Sequence, residues 1–248
     1  MLSFNGGMIM WTRAELKTKA KAAFTMNYWH AVGVCVVLAL FAGGSSGSNG
    51  RSAAKRTGSD VSDILSNPMV ILTIVSAALL ISLAILVLKI IVGNCLIVGA
   101  DKFLIDNAIN AEAGSDEKAK IKSILCVFKS GKWGNVTIAM FLKDLFVALW
   151  TLLLIIPGII KSYEYRMVPF LLADDPSMNW KEAMETSKDL MNGNKWDVFV
   201  LDLSFIGWFI LSAITFNIVG IFWTNPYYYQ TCAELYITLL ENSGNTVQ

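Results

Sequence analysis

Long, nearly uninterrupted runs of apolar residues restrict what this chain can fold into. The longest, MVILTIVSAALLISLAILVLKIIVGNCLIVGA, covers residues 69–100, and FIGWFILSAITFNIVGIFW covers 205–223. A membrane-spanning helix needs about 20 mostly apolar residues. Charged residues make up only 16% of the chain, whereas soluble domains carry about 25%. The sequence therefore predicts an integral membrane protein, and because no strand pattern is visible we expect an all-α helix bundle.

The apolar pattern predicts a multi-pass protein with six transmembrane helices arranged in three hairpins. The predicted spans are residues 29–43, 69–99, 136–156, 158–173, 198–217 and 219–240. Lysine and arginine are enriched in cytoplasmic loops of membrane proteins. Thirteen of these residues lie in segments on the side of the N terminus and three lie in the opposite turns. Both termini are therefore predicted to be cytoplasmic.

The whole chain, residues 1–248, is predicted to form one integral membrane domain. Its one long polar connection, GGSSGSNGRSAAKRTGSD, lies within residues 43–68. Glycine and serine give such a segment little preference for regular structure. We expect a flexible loop on the outer side of the membrane.

A polar stretch ending in tryptophan precedes three of the spans. AELKTKAKAAFTMNYW ends at Trp29, EKAKIKSILCVFKSGKW at Trp133 and KEAMETSKDLMNGNKW at Trp196. Apolar residues recur at helical spacing in these stretches, as is typical of amphipathic helices. We interpret the pattern as a parallel internal repeat in which a cytoplasmic amphipathic helix precedes each hairpin. The simpler interpretation is that tryptophan is common at membrane boundaries.

The residues that most soluble enzymes use for catalysis are scarce in this sequence. The single histidine, His30, follows a boundary tryptophan and has no second metal ligand nearby. No glycine-rich phosphate loop with a Gly-Lys-Ser/Thr ending occurs. We predict no metal, no cofactor and no catalytic residues, so the chain is not expected to be an enzyme. A formal net charge of +1 also gives no reason to expect nucleic acid as a partner.

Ionisable residues inside the predicted spans are the candidates for function. A charge near the middle of a membrane helix costs about 2.5–3.5 kcal/mol on insertion scales. Such residues therefore face other helices and often mark functional sites. The candidates for ligand binding or for a buried charge network are Asp144, Lys161, Glu164, Arg166, Asp202 and Glu234.

Helical spacing suggests how these charges pair. Lys161 and Glu164 are three residues apart on one helix and can form an ion pair. Arg166 points away from Glu164 and requires a carboxylate from another helix. The repeat aligns Asp144 with Asp202, so Arg166 is expected between them, with Glu234 as the further candidate. Three roles remain open for the network: fixing the helices in register, binding a polar ligand or ion, and catalysis.

Two prolines predict irregular backbone around the fourth span. Pro157 with Gly158 predicts a tight turn at the outer face. Pro169 predicts a kink, because proline cannot donate a hydrogen bond to the carbonyl of Tyr165 four residues earlier.

Three segments carry a family resemblance. WTRAELKTKAK near the start, IIPGIIKSYEYRMVPFLLADDP in the middle and MNGNKWDVFVLDLSFIGWFIL further on resemble a bacterial membrane family catalogued as domain of unknown function 975. More faintly, the chain is similar to the membrane domain that accompanies some glycerophosphodiester phosphodiesterases. The resemblance implies a protein of the bacterial cytoplasmic membrane, but no activity and no catalytic residue.

The expected function is that of a non-enzymatic membrane module whose partners are membrane lipids or other membrane proteins. Lysines of the amphipathic helices would meet anionic headgroups at about 1 kcal/mol each. The alternative is a transporter or channel-like protein that binds a polar or anionic ligand at Arg166, Asp202 and their neighbours. Neither the ligand nor the oligomeric state follows from the sequence.

Overall fold

A computed structural model describes residues 11–42, 68–114 and 119–244, and within these ranges all regular structure is helical. A 3₁₀ turn covers Ile121–Leu125, and a π-helical turn covers Gly220–Thr224. The predicted all-α class is confirmed. The α-helices are α1 (Arg13–Met26), α2 (Tyr28–Ala42), α3 (Pro68–Glu112), α4 (Cys126–Lys129), α5 (Trp133–Leu153), α6 (Ile155–Glu164), α7 (Val168–Asp174), α8 (Trp180–Leu190), α9 (Lys195–Leu203), α10 (Ile206–Ile214) and α11 (Asn225–Asn242).

Three helical segments in the described part of the chain are long and apolar enough to cross a membrane. They are residues 75–112 of α3, the whole of α5, and residues 195–214, which comprise α9 and α10. These segments indicate a membrane protein. The finer expectation of six spans in three hairpins stays a prediction. The predicted flexible loop at 43–68 lies outside the described residues, apart from Pro68, where α3 begins.

Helix α3 is much longer than the predicted span of 69–99. Its 45 residues extend about 67 Å at 1.5 Å per residue. Every described side chain from Met69 to Leu88 is exposed, whereas most of those from Cys95 to Ala108 are buried. The helix continues past the predicted span by burying side chains such as Phe103 against its neighbours.

The core of the described structure is centred on α11. Its side chains from Gln230 to Ile237 are all buried, and the helix packs against α1, α2 and the C-terminal half of α3. Helix α7 contacts α3 and adds Phe170, which stacks on Tyr236 at 5.6 Å between ring centroids. The buried half of the molecule is therefore assembled from helices that lie far apart in sequence.

Helices α6 and α7 return along α5. The Asn135 side chain near the start of α5 donates to the carbonyls of Pro176 and Met178, just past α7. At the other end, a methyl group added to Gly158 would lie 2.5 Å from the Cα of Thr151. These two contacts show that the helices run antiparallel.

The segment α9–α10 pairs with α11 in the same antiparallel sense. Asp202 on α9 contacts Tyr228 on α11, whereas Ser212 on α10 lies beside Gly220, in the π-helical turn before α11. Between Ser212 and Gly220 the chain reverses at Phe216 and Asn217, whose φ values of 49° and 66° lie in the left-handed region. The Ser212 hydroxyl donates to the Asn217 side chain and stabilises this reversal.

The two proline expectations need correction. The helix breaks before Pro157, at Leu154, whose backbone is extended, and Pro157 lies inside the first turn of α6. Pro169 does not kink a continuous helix. Instead α6 ends at Glu164 and α7 begins at Val168, with Pro169 in its first turn. Proline fits there because the first N–H groups of a helix need no intrahelical acceptor.

Candidate functional site

The break between α6 and α7 places Arg166 in a turn rather than within a helix. The Arg166 N–H donates to the carbonyl of Tyr163, and the Val168 N–H donates to that of Tyr165. The latter bond occupies the carbonyl that Pro169 leaves without its usual helical donor. The guanidinium group can therefore reach α9 and α11 at once.

Arg166 is held by a carboxylate on α9. Its Nη1 donates to Asp202 Oδ2 at 2.6 Å, and its Nη2 donates to Asp202 Oδ1 at 3.0 Å. This is the fork-to-fork arrangement that only arginine offers to a carboxylate. Asp202 is therefore the carboxylate from another helix that the sequence required for Arg166.

Two tyrosines and a cysteine complete the surroundings of this ion pair. Tyr163 donates to Asp202 Oδ2 at 2.8 Å and Tyr228 donates to Oδ1 at 3.1 Å. Nη2 of Arg166 also contacts the Tyr228 hydroxyl at 2.5 Å and Cys232 Sγ at 3.4 Å. The rings of Tyr163 and Tyr228 lie 5.6 and 5.8 Å from the guanidinium carbon, within the range of cation–π attraction. The charges of Arg166 and Asp202 are thus balanced and surrounded by aromatic side chains.

Glu164, the last residue of α6, lies between two lysines. Lys161 donates to its Oε2 at 2.5 Å and Lys195 donates to its Oε1 at 2.6 Å. The first contact is the ion pair predicted from the spacing of three residues. The second joins α6 to the first residue of α9. Glu164 is buried, so the two lysines supply the charge compensation that a buried carboxylate needs.

A buried serine on α8 bridges the break between α6 and α7. The Ser187 hydroxyl donates to the backbone carbonyl of Glu164 at 2.7 Å and accepts from the N–H of Met167 at 3.1 Å. These are backbone groups that the interrupted helix leaves without their regular partners. Helix α8 therefore fixes the turn that carries Arg166.

Two of the predicted site residues lie elsewhere. Asp144 is 63% exposed at its side chain and pairs with the adjacent Lys143 at 3.1 Å. The expectation that Arg166 lies between Asp144 and Asp202 is therefore wrong, because the Asp144 side chain lies on the exposed side of α5, away from the interior of the bundle. Glu234 is 3% exposed, but it lies on the side of α11 near Lys19 and Glu112 rather than beside Arg166.

A second polar cluster joins α3 to α11 and to the junction of α1 with α2. Asn107 donates to the carbonyl of Ala23 at 2.8 Å and to the Gln230 side chain at 3.1 Å, and it accepts from Asn27 at 2.5 Å. Gln230 in turn donates to the carbonyl of Leu104 at 3.1 Å. All three amide side chains are buried. Their bonds replace water as partners in the interior of the bundle.

Several residues of these clusters were not singled out from the sequence. Ser187, Lys195, Tyr163 and the three amide residues are common polar types at unremarkable positions. Tyr228 lies in a run of three tyrosines after a proline, a pattern typical of a membrane boundary. The one available signal was the requirement that a buried charge finds partners, which pointed to Asp202 but not to neutral donors.

The Arg166 cluster offers few hydrogen-bonding groups to a ligand, because its own side chains already bond to one another. Both carboxylate oxygens of Asp202 and both terminal nitrogens of Arg166 are engaged within the protein. Within the described residues, no group of three or more His, Cys, Asp or Glu side chains is placed to hold a metal ion. The arrangement joins α6, α9 and α11 at one point.

A known protein family matches the part of the chain that contains the Arg166 cluster. Residues 151–243 match the family described as Protein of unknown function (DUF975). The predicted family resemblance is confirmed over this region. It contains Lys161, Glu164, Arg166, Asp202 and Glu234, whereas Asp144 lies outside it. No curated protein and no solved structure matches the chain, and the fainter similarity to the phosphodiesterase membrane domain stays a prediction.

Proposed function

We propose that this chain is a non-enzymatic module of the bacterial cytoplasmic membrane, with six spans in three hairpins and both termini in the cytoplasm. Its partners are membrane lipids and other membrane proteins. The partly buried pair of Arg166 with Asp202 and the buried Glu164 fix the helices in register. Contacts with partners are made by the surface at the cytoplasmic boundary and by the apolar sides of the helices.

The exposed apolar surface is the observation that carries this proposal. Large apolar side chains are exposed along α3, α5, α6 and α10, on far more surface than the few hundred Å² usual for a soluble monomer. Most of them lie on the three segments that are long and apolar enough to cross a membrane. The exposed residues include Leu72, Leu79, Leu80, Ile81, Leu83, Ile85, Leu88, Leu149, Leu152, Leu153, Ile155, Ile156, Ile206, Ile210 and Ile214.

Three exposed tryptophans support a common membrane boundary. Trp29 is the second residue of α2, Trp133 the first of α5 and Trp196 the second of α9. Trp29 and Trp196 are 75% and 72% exposed, and Trp133 is 48% exposed. An indole ring is stabilised at the headgroup level, where its ring and its N–H both find suitable surroundings. Equivalent placement at the start of three helices supports the parallel repeat.

Two antiparallel helix pairs support hairpins as the repeated unit. Helices α6 and α7 return along α5, and α11 returns along α9 and α10. Helices α2 and α3 contact each other as well, and their cytoplasmic ends meet at Asn27 and Asn107. This arrangement fits three hairpins that enter from the same side.

The alternative of a transporter with an anion site at Arg166 has less support. An anion would have to displace Asp202 from a bidentate pair and would gain only the same kind of contact. A role in fixing the helices requires no such exchange.

Topology is tested by labelling single cysteines in a cysteine-free version of the full chain. Ser177→Cys, between α7 and α8, is expected to react with a membrane-impermeant maleimide only in inverted membrane vesicles. Leu154→Cys, at the turn between α5 and α6, is expected to react only in right-side-out vesicles. Both positions are accessible in the structure. Labelling of both sites from the same side would refute the hairpin arrangement.

The module function is tested by reconstitution into liposomes. We expect no anion flux above that of empty vesicles, with or without Arg166→Ala. A flux that depends on Arg166 in a variant that still folds would establish the transporter instead. Phospholipid that remains bound through purification, detected by native mass spectrometry, is the positive result expected for a lipid-binding module.

A further inference from the structure

We propose that the segment 119–132, between α3 and α5, is the site at which this protein binds the headgroups of anionic phospholipids. The inference rests on the proposed membrane location and names the lipid class and the surface. It distinguishes this segment from the other two polar stretches, α1 and α8, which precede spans in the same way.

Net charge distinguishes segment 119–132 from α8. Segment 119–132 carries Lys120, Lys122, Lys129 and Lys132, all exposed, and no acidic residue. Asp116 and Glu117 precede it, outside the described residues. By contrast, residues 180–195, which include α8, hold three lysines and three acidic residues and have no net charge. Electrostatic attraction to an anionic leaflet therefore favours segment 119–132 over α8.

The lysines of α1 are partly engaged within the protein. Lys17 donates to the carbonyl of Ser204 and lies 4.2 Å from the ring of Phe205. Lys19 pairs with Glu112 at 2.8 Å. Helix α1 thus uses two of its cations to pack against the bundle, which leaves fewer of them for lipid.

The lysines of segment 119–132 are interleaved with exposed apolar side chains. Ile121, Leu125 and Phe128 are 51%, 47% and 38% exposed, whereas Ile124 and Val127 are buried. The segment is therefore apolar on two sides, and only one of them faces the core. Apolar side chains beside lysines are the composition of a surface that lies in the headgroup region, with the apolar groups toward the acyl chains.

The segment is held firmly against α3. The Ser123 hydroxyl donates to Asp106 at 2.8 Å. At Gly99 the backbone of Ile124 approaches so closely that a methyl group would lie 1.9 Å from its carbonyl oxygen. The exposed side chains are thus presented from a fixed backbone, which lowers the entropy lost when a ligand binds.

The position of the segment selects lipid rather than an acidic protein. It leads directly into Trp133, which begins α5, a helix long and apolar enough to cross the membrane. It therefore lies at the level where a bilayer places its headgroups. The exposed Trp133 continues the apolar side of the segment toward the membrane interior.

The test compares two double variants of the full chain with the same spacing of seven residues. Lys122→Gln with Lys129→Gln removes charge from segment 119–132, and Lys181→Gln with Lys188→Gln removes the same charge from α8. Each is reconstituted in mixed phosphatidylglycerol and phosphatidylcholine nanodiscs. Enrichment of spin-labelled phosphatidylglycerol over spin-labelled phosphatidylcholine is measured by electron paramagnetic resonance. All four lysines are exposed, so both variants are expected to fold, and circular dichroism and the melting temperature verify this.

We expect the first pair to lower the enrichment by up to about fivefold per lysine and the α8 pair to leave it nearly unchanged. Phe128→Ser, which keeps every charge, is expected to lower it as well. Equal losses of enrichment in the two double variants would overturn the assignment of lipid binding to segment 119–132. If the unmodified protein showed no enrichment of phosphatidylglycerol, recognition of anionic lipid by this segment would be overturned. The cysteine-labelling test of the topology does not depend on that result. Binding of an acidic peptide to this segment in place of phosphatidylglycerol would also overturn the proposal.

Discussion

Arg166 and Asp202 are joined by two parallel hydrogen bonds of 2.6 and 3.0 Å. Arg166 lies in the turn between α6 and α7, and Asp202 lies near the end of α9. Tyr228 on α11 contacts both side chains, so three segments meet at one ion pair. The guanidinium plane makes this geometry possible, and a lysine ammonium group would not reproduce it.

Removing one member of this pair should cost more than removing both. Arg166→Ala leaves the Asp202 carboxylate without a counter-charge, and we expect a loss of about 3 kcal/mol in the free energy of unfolding. Arg166→Met with Asp202→Leu removes both charges and should be closer to the unmodified protein. The measurement is equilibrium unfolding in mixed micelles.

Asp144→Ala is the matched control for a pair at the surface. Asp144 is exposed and bonded to its neighbour Lys143, and such pairs contribute less than about 1 kcal/mol. An Arg166→Ala protein as stable as Asp144→Ala would show that the pair of Arg166 with Asp202 does not fix the helices.

Ser187→Ala should loosen the turn that carries Arg166. The substitution leaves the carbonyl of Glu164 and the N–H of Met167 without their partner in a buried site, at an expected cost of about 1–3 kcal/mol. Hydrogen exchange at the Met167 amide should become faster than in the unmodified protein. Ser162→Ala is the control, because that exposed hydroxyl bonds only to Ile159 within its own helix. Unchanged exchange at Met167 would contradict the role assigned to Ser187.

The sequence predicted those features that follow from burial or from local spacing. Apolar runs without alternation predicted the all-α class. The spacing of three residues predicted the pair of Lys161 with Glu164. An unpaired charge in the bundle is costly, so Arg166 required a carboxylate from another helix. The sequence did not decide among Asp144, Asp202 and Glu234.

Features that depend on tertiary packing did not follow from the sequence. Asp144 matches Asp202 in the repeat, but the phase of α5 turns it outward. Lys195 reaches Glu164 across 31 residues of chain, and nothing in its sequence surroundings indicates that direction. Helix α3 continues beyond residue 99 because other helices bury its C-terminal half, which a reading of local hydropathy does not detect.

Gly99→Ala should displace the 3₁₀ turn from α3. The added methyl group would lie within 3 Å of the carbonyl oxygen, carbonyl carbon and Cα of Ile124, and because these are backbone atoms the turn must move. We expect a loss of about 1–3 kcal/mol in stability. Gly134→Ala is the control, since nothing lies within 4 Å of its added methyl group, and it should be neutral or slightly stabilising. Equal effects of the two substitutions would show that the close approach at Gly99 is unimportant.

The pair of Lys19 with Glu112 should give a pH-dependent contribution to stability. The hydrogen bond that Lys19 donates to Glu112 raises the pKa of the ammonium group above its usual value. A raised pKa in the folded state stabilises the fold fully below the lysine pKa of the unfolded chain, and the effect is lost as pH rises through the folded pKa. Both side chains are partly exposed, so the contribution should stay below about 1 kcal/mol.

Lys19→Gln tests this dependence through the difference in stability from the unmodified protein. The difference should disappear in strongly alkaline buffer. Groups that do not interact with Lys19 cancel in the comparison, whereas the nearby carboxyl of Glu234 does not, so the comparison is made above pH 9. A difference that grows with rising pH would have the wrong sign and would exclude the ion pair as its cause.

Asn107→Leu should be among the most destabilising single substitutions in the described part of the bundle. It removes the side chain that bonds to Asn27, Gln230 and the carbonyl of Ala23, and it leaves these groups buried without that partner. Each such group costs about 1–3 kcal/mol. The same change at Asn192, which is exposed in the turn after α8, should have almost no effect on unfolding in mixed micelles. If Asn107→Leu were as stable as Asn192→Leu, the buried amides would contribute nothing net, and packing of α1, α3 and α11 by their apolar side chains alone would account for the core.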